Sequence, residues 1–250
     1  MIRVVILGAG TAIPMTGYSP AGNLVQTDTG FLLVDVGPGT LSRLAAVGVD
    51  YRKLLHILIT HHHSDHTLDL VTLIQAYDST PGWVREEVLH LIGGRGTGEL
   101  FSQLMSTYPG IGPTSYRVEI HEMMQESLVL PGWEVKSVLT GHTPDSLGYR
   151  LEVEGKVIVF SGDATLTMDL VNLAEQADVF VCECSFPGSS GEGDHLAAEQ
   201  VGWIAAKARV KKLVLVHMYP RTLESDLHAQ IGKEYSGQVV VAKDGLELLF

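Results

Sequence analysis

The chain is short of cysteine, of positive charge and of long apolar stretches, and each shortage closes off a class of protein. Of its 250 residues only Cys182 and Cys184 are cysteine. Two cysteines cannot build the disulfide framework of a small secreted scaffold. Two apart on an apolar strand-like run, they are expected to face opposite sides, which disfavours a shared metal or disulfide. A reducing, cytoplasmic setting fits this usage. Lys and Arg number 17 against 29 Asp and Glu, a formal net charge of −12. The densest basic pair is Lys211-Lys212. The cationic face needed for strong non-specific nucleic-acid binding is missing, which argues against a long polyanionic substrate. No apolar run approaches the roughly 20 residues of a membrane helix, so no membrane association is expected. The opening MIRVVILGAG reads as a strand entering a turn rather than a signal peptide.

Two nucleotide-binding loops are lacking as well. Gly8-Ala9-Gly10 has Ile13 where a dinucleotide fingerprint needs its third glycine, and Pro14 follows at once. Gly93-Gly94-Arg95-Gly96-Thr97-Gly98 has no Gly-Lys-Ser/Thr ending and reads as a turn opening a helix through Met105.

An apolar content of 45% over 250 residues supports a substantial core, and residues 1–250 are expected to form a single domain. Strands are expected at Met1–Leu7, in a hairpin of Asn23–Gln26 with Phe31–Val36, and at Leu54–Ile59, Val88–Ile92 and Tyr116–His121. Further strands follow at Trp133–Thr140, Leu147–Val153, Lys156–Ser161, Val179–Cys184, Leu213–Val216, Val239–Ala242 and Leu246–Phe250. Helical spacing covers Thr40–Ala46, the segment after His66, Thr167–Ala177, Leu196–Ala208 and residues 223–231. In both halves strands cluster and then alternate with helices. That order predicts an α/β fold of two sheets face to face with helices outside, a four-layer αββα sandwich.

The chemistry is concentrated in Thr60 to Leu70, THHHSDHTLDL, on the turn between a strand end and a helix start. Strand ends facing a crevice are where open α/β sheets place their chemistry. In extended backbone alternate side chains share a face, so His61 and His63 can reach one ion while His62 points away. Asp65 and His66 follow after the chain turns and can serve a second position nearby. Imidazole with carboxylate suits zinc, or iron and manganese with less preference. Three further candidates, His142, Asp163 and His217, each close an apolar strand. Together they make seven ligands, five imidazoles and two carboxylates, and a carboxylate can bridge two ions. Asp35, in Asp35-Val36-Gly37-Pro38-Gly39, is read either as a carboxylate orienting a metal ligand or as a turn cap. The Gly/Pro-rich loop 107–115 is a candidate lining of the substrate mouth.

These motifs resemble the metallo-β-lactamase fold, and within it the ribonuclease Z branch of phosphodiesterases. The family's Leu-Gly-x-Gly-Thr-x-x-Pro matches Leu7 to Pro14, its Asp-x-Gly turn matches Asp35 and Gly37, and its Ile-Thr-His-x-His-x-Asp-His matches Ile59 to His66. Gly148-Tyr149-Arg150, Ser161-Gly162-Asp163, and His217 with Pro220 and Arg221 match later motifs. The resemblance implies His61, His63 and His142 on one zinc, Asp65, His66 and His217 on another, and Asp163 bridging. It also implies a catalytic pair, Glu183 and His195, although cysteine replaces the histidine that precedes the family's glutamate. Family members that process pre-tRNA carry a protruding arm between Gly-Tyr-Arg and Ser-Gly-Asp. Here only Leu151 to Phe160 separate those motifs. That length makes a hairpin and argues against tRNA as partner.

The implied reaction is phosphodiester hydrolysis by a pair of divalent metals, with water as nucleophile. Asp65 would orient the water and bind metal, His195 would protonate the leaving oxygen, and Glu183 would hold His195. The substrate is expected to be a small molecule or a short phosphodiester. Carbonyl hydrolysis by a lactonase, thioesterase or β-lactamase uses the same metals, and a non-hydrolytic metal- or ligand-binding protein is the reading from another class. A homodimer is a family expectation only.

Overall fold

The computed structural model describes residues 1–250. The first sheet uses β1 (Arg3–Gly8), β2 (Gly22–Thr27), β3 (Gly30–Val36), β4 (Leu54–Leu58), β5 (Leu89–Gly93) and β6 (Val118–Glu122). The second uses β7 (Ser127–Leu130), β8 (Trp133–Leu139), β9 (Leu147–Val153), β10 (Lys156–Phe160), β11 (Val179–Glu183), β12 (Lys212–Val216) and β13 (Gln238–Val241). A closing strand, β14 (Leu246–Leu249), returns to the first sheet beside β1. The spatial orders are β14-β1-β2-β3-β4-β5-β6 and β13-β12-β11-β10-β9-β8-β7.

Both sheets are mixed, with an antiparallel half and a parallel half. Strands β14, β1, β2 and β3 pair antiparallel, and β3 to β6 pair parallel. Strands β7 to β10 pair antiparallel, and β10 to β13 pair parallel. Parallel neighbours need crossovers, and helices supply them. In the first sheet these are α1 (Thr40–Ala46), α2 (Ser64–Thr67) with α3 (Asp69–Ser79), and α4 (Thr97–Thr107). In the second they are α5 (Met168–Leu173), α6 (Ala198–Lys207), and α7 (Pro220–Leu223) with α8 (Leu227–Ile231).

The two-residue period of a strand explains the layers. Val4 and Ile6 of β1 enter a core shared with Tyr149, Ile158 and Val181 of the opposite sheet. Val5 and Leu7 point the other way and pack with Leu44 of α1 and Leu70, Leu73 and Ile74 of α3. On the second sheet Phe180 faces outward, against Leu170, Val201 and Ile204 of α5 and α6. Three apolar interfaces between four layers result, the αββα sandwich expected from the order of elements.

Several sequence expectations need correction. Cys182 and Cys184 lie on the same face, both in the outer core under α5 and α6, because residues two apart on a strand share a side. Strand β7 was not expected; it is a four-residue edge strand held by a turn at Pro131-Gly132. Loop 107–115 does not approach the histidines by any hydrogen bond. Thr114 bonds Asp78 and Ser115 bonds the Arg85 carbonyl, on the outer helical layer. One expectation stands as made: the β9–β10 connection is a two-residue hairpin at Glu154-Gly155, both at positive φ (48° and 73°), so no arm projects there.

Candidate metal centre

In the second sheet β10, β11 and β12 run the same way, and β8, antiparallel to β9 as β9 is to β10, runs with them. The C-terminal ends of β4, β8, β10 and β12 deliver His61 to His66, His142, Asp163 and His217, while β11 ends at Glu183. Four residues with tight backbone make this possible. Asp35 and His217 sit at positive φ (64° and 55°), uncommon for residues other than glycine. At Gly37 a Cβ would run into the Asp65 carbonyl oxygen. Gly162, at φ 58°, has the Thr60 Cβ 2.7 Å from where its own Cβ would be. The Gly8-Ala9-Gly10 loop, tempting as a nucleotide motif, lies beneath the centre: the His217 amide donates to the Ala9 carbonyl at 2.8 Å.

All seven candidate ligands converge. His63 Nδ1 lies 3.0 Å from His61 Nε2 and 3.2 Å from His142 Nε2. Asp163 Oδ2 is 3.7 Å from each of those two Nε2 atoms. On the other side Asp65 Oδ2 lies 3.8 Å from His66 Nε2 and 3.6 Å from His217 Nε2. Asp163 also reaches this group, at 3.5 Å from His66 and 3.4 Å from His217. It therefore stands between two clusters, as a bridging carboxylate would. His62 points away and bonds Thr97 Oγ1.

The opposite nitrogens are held from behind. The buried Asp35 carboxylate accepts from His66 Nδ1 at 2.8 Å, from the Thr60 amide at 2.8 Å and from the Thr60 hydroxyl. Of the two readings of Asp35, it is the orienting carboxylate. His142 Nδ1 donates to the Asp194 carbonyl at 3.0 Å. His217 Nδ1 donates to Ser185 Oγ at 3.0 Å, and Ser185 Oγ donates to Glu183 Oε2 at 2.6 Å. These partners fix the tautomers that leave His66, His142 and His217 with bare Nε2 lone pairs directed inward. Thr60 and Ser185 were not singled out from the sequence. For Ser185 a signal was present: two residues past Glu183 on an extended run, it must share that side chain's face.

The buried Nε2 atoms of His66 and His217 have no hydrogen-bond partner. Burying an unpaired imidazole nitrogen costs about 1–3 kcal/mol, so the arrangement fits a divalent ion at those lone pairs. The charge balance agrees. Burial pushes the His66 imidazole down, but Asp163, Asp35 and Asp65 outweigh it and raise it to about 9. Burial likewise opposes ionisation of Asp65, yet the neighbouring His217 and His66 imidazoles bring it down to about 2. Carboxylates thus dominate the pocket and favour positive charge within it. His61, lowered to about 2 by burial and then by His66, is a neutral imidazole with a lone pair to give.

Beside the clusters, His195 Nδ1 donates to Glu183 Oε1 at 3.0 Å and lies 4.0 Å from Asp163 Oδ2. Glu183 also accepts from the Ala164 amide at 2.7 Å, tying it to the Asp163 loop. The His195 side chain is 15% exposed, while Glu183 is buried. Burial lowers the His195 imidazole, but the Glu183 bond and charge outweigh it and raise it above its ordinary value. The Phe186 and Tyr219 rings flank His195, with centroids 6.3 and 6.2 Å from its ring.

No helix is long and apolar enough to cross a membrane. Residues 21–213 match the family described as the metallo-beta-lactamase superfamily. A ribonuclease Z of Mycobacterium avium (strain 104) is 30% identical, covering 98% of this chain and 96% of its own length. That alignment runs over 275 positions, more than the 250 residues here, so the relative carries additional segments. The metallo-beta-lactamase fold protein YhfI from Bacillus subtilis superposes with a TM-score of 0.86 at 23% identity, over 100% of both chains. The short form of human tRNase Z superposes at 0.81 and 20% identity, over 99% of this chain and 98% of its own. The chain belongs to the metallo-beta-lactamase superfamily, as a hydrolase of its ribonuclease Z-like branch.

Proposed function

We propose that residues 1–250 form one catalytic unit, a binuclear zinc phosphodiesterase acting on a small or short phosphodiester; iron or manganese would suit the same donors with less preference. His61, His63 and His142 would hold one ion, Asp65, His66 and His217 the other, and Asp163 would bridge them. When bound, such a pair supplies positive charge to a phosphoryl oxygen and acidifies the attacking water. Asp65, the most accessible of the carboxylates in the cluster at 13% side-chain exposure, orients that water as well as ligating. With Nδ1 engaged by Glu183, His195 carries its transferable proton on Nε2 and delivers it to the leaving oxygen. Glu183 stabilises the protonated ring and returns it to the same orientation after each turnover.

The observation that carries this reading is the buried glutamate behind a half-buried histidine, 4.0 Å from the shared carboxylate. A poor alkoxide leaving group needs a proton donor at that place. The same centre without such a donor would serve a lactone, thioester or β-lactam equally well. The relatives named ribonuclease Z support phosphodiester chemistry, while the absence of an arm and the acidic balance support a substrate smaller than tRNA. The test is metal analysis of purified protein with a parallel panel of bis-nitrophenyl phosphate, cyclic nucleotides, short RNA, a lactone and a β-lactam. Preferential turnover of a phosphodiester, lost on chelation and restored by zinc, is expected. Faster turnover of the lactone or β-lactam would overturn the assignment.

A further inference from the structure

We infer that the chain holds a further zinc ion, outside the proposed catalytic centre, on His90, Glu119 and His121 at the β5–β6 edge of the first sheet. One ligand atom from each of the three lies within 4.8 Å of the other two. Strand register brings them together: His56 pairs with His90, His90 with Glu119, and Ile92 with His121. By the two-residue period all four polar side chains share the face of Leu58 and Ile92, which is turned toward the second sheet. An apolar interface is the last place where unpaired imidazoles are expected.

They are nonetheless unpaired. His90 Nδ1 and His121 Nε2 are buried atoms with no hydrogen-bond partner, and so are both ring nitrogens of His56. His56 is 3% exposed and stacks on His90, with ring centroids 5.2 Å apart and planes at 15°. His90 in turn lies 5.7 Å from His121. Glu119 Oε2 is 3.6 Å from His90 Nδ1, too far for a hydrogen bond and suited to two ligands of one ion. Two imidazoles with one carboxylate form a zinc donor set that leaves a fourth position open. The Glu119 side chain is 41% exposed and that of His90 21%, which provides an entry path.

The site is separate from the proposed catalytic centre. His121 is aligned with Leu58 through Ile92, three residues before His61 and two strands away, about 10 Å along the strand and about 10 Å across the sheet. An ion here would clip β6, an edge strand paired on one side only, to β5. Its contribution is to the stability of that edge, and catalysis does not pass through it.

The experiment compares zinc content of the wild-type protein with His90→Ala/His121→Ala and with His61→Ala/His63→Ala after dialysis against buffer. The first variant should lose one zinc equivalent relative to wild type and keep its hydrolytic activity. The second should keep that equivalent whatever happens at the other centre, so failure of this site and failure of the catalytic assignment are told apart. Added zinc should raise the melting temperature of the second variant and not that of a protein lacking both sets of histidines. If the paired alanine variant does not fold, Glu119→Gln, at an exposed side chain, replaces it and should weaken zinc retention at this site. Equal zinc content and equal thermal response with and without His90, Glu119 and His121 would overturn the inference.

Discussion

Replacing Asp35 by Asn exchanges one carboxylate oxygen for an amide nitrogen and should disable one half of the proposed metal centre. The carboxylate accepts three donors: the Thr60 amide, the Thr60 hydroxyl and His66 Nδ1. An asparagine that keeps its oxygen on the Thr60 amide must place its NH2 where Oδ2 was, against His66 Nδ1–H. Donor would then face donor at 2.8 Å. His66 relieves this by moving its proton to Nε2, the atom that faces Asp65 and Asp163. A protonated Nε2 cannot ligate. Loss of an orienting partner of this kind weakens metal binding roughly 10- to 100-fold, about 1.4 to 2.8 kcal/mol. The loss should fall on the ion proposed for Asp65, His66 and His217, with the His61, His63 and His142 group much less affected. Competition with a fluorescent chelator, titrated through both equivalents, measures the two affinities. Asparagine tolerates the positive φ at this position, so a folding defect should not obscure the result. Affinity for the weaker-held ion within twofold of wild type would refute the tautomer argument.

Other expectations follow from single contacts. His195→Ala should slow esters with poor leaving groups by roughly 10^2- to 10^4-fold and nitrophenyl esters far less; equal slowing would remove it as proton donor. Because Glu183 raises the His195 imidazole, activity on poor leaving groups should persist below that raised value and fall as pH rises through it. Glu183→Gln should shift that alkaline limb to lower pH, and an unmoved pH–rate profile would break the pairing. Tyr149→Phe removes the hydroxyl that donates to the Ile59 carbonyl at 2.8 Å and joins the two sheets directly before the histidine turn. It should lower unfolding free energy by about 1–3 kcal/mol in a urea titration, since the carbonyl is left buried and unpaired. Gly37→Ala should displace the Asp65 backbone and abolish activity at unchanged chain length, checked by metal content alongside turnover.

Some of the site was legible because it is local. The spacing of His61, His63, Asp65 and His66 carries its own geometry, with a strand end followed by the helical turn α2. His142, Asp163 and His217 were legible by position, each just past an apolar run. The Glu183–His195 pair came through resemblance, and the structure puts its atoms 3.0 Å apart. Thr60, Ser185 and the Asp194 carbonyl were not legible, since their partners lie up to 52 residues away in the chain. Edge strand β7 escaped because four residues of half-buried strand have no distinctive periodicity. Cys182 and Cys184 share a face by the same two-residue period that sets His61 and His63 together, so the expectation of opposite faces has no physical basis. The His56–His90–His121 row was invisible for another reason: each histidine sits in an ordinary strand, and only the pairing register aligns them.

By itself the sequence determined the elements other than edge strand β7, their order and the residue types at the strand ends. Those depend on short-range periodicity, turn chemistry and donor identity, all encoded within a few residues. The tertiary structure alone decided which strands are neighbours, and therefore that five strand ends meet at one edge with Asp163 between two groups of candidate ligands. It also decided which ring nitrogen of each histidine is tied back and which is left bare. Both are matters of contact between segments distant in the chain, set by burial of two sheets against each other, and no local pattern records them.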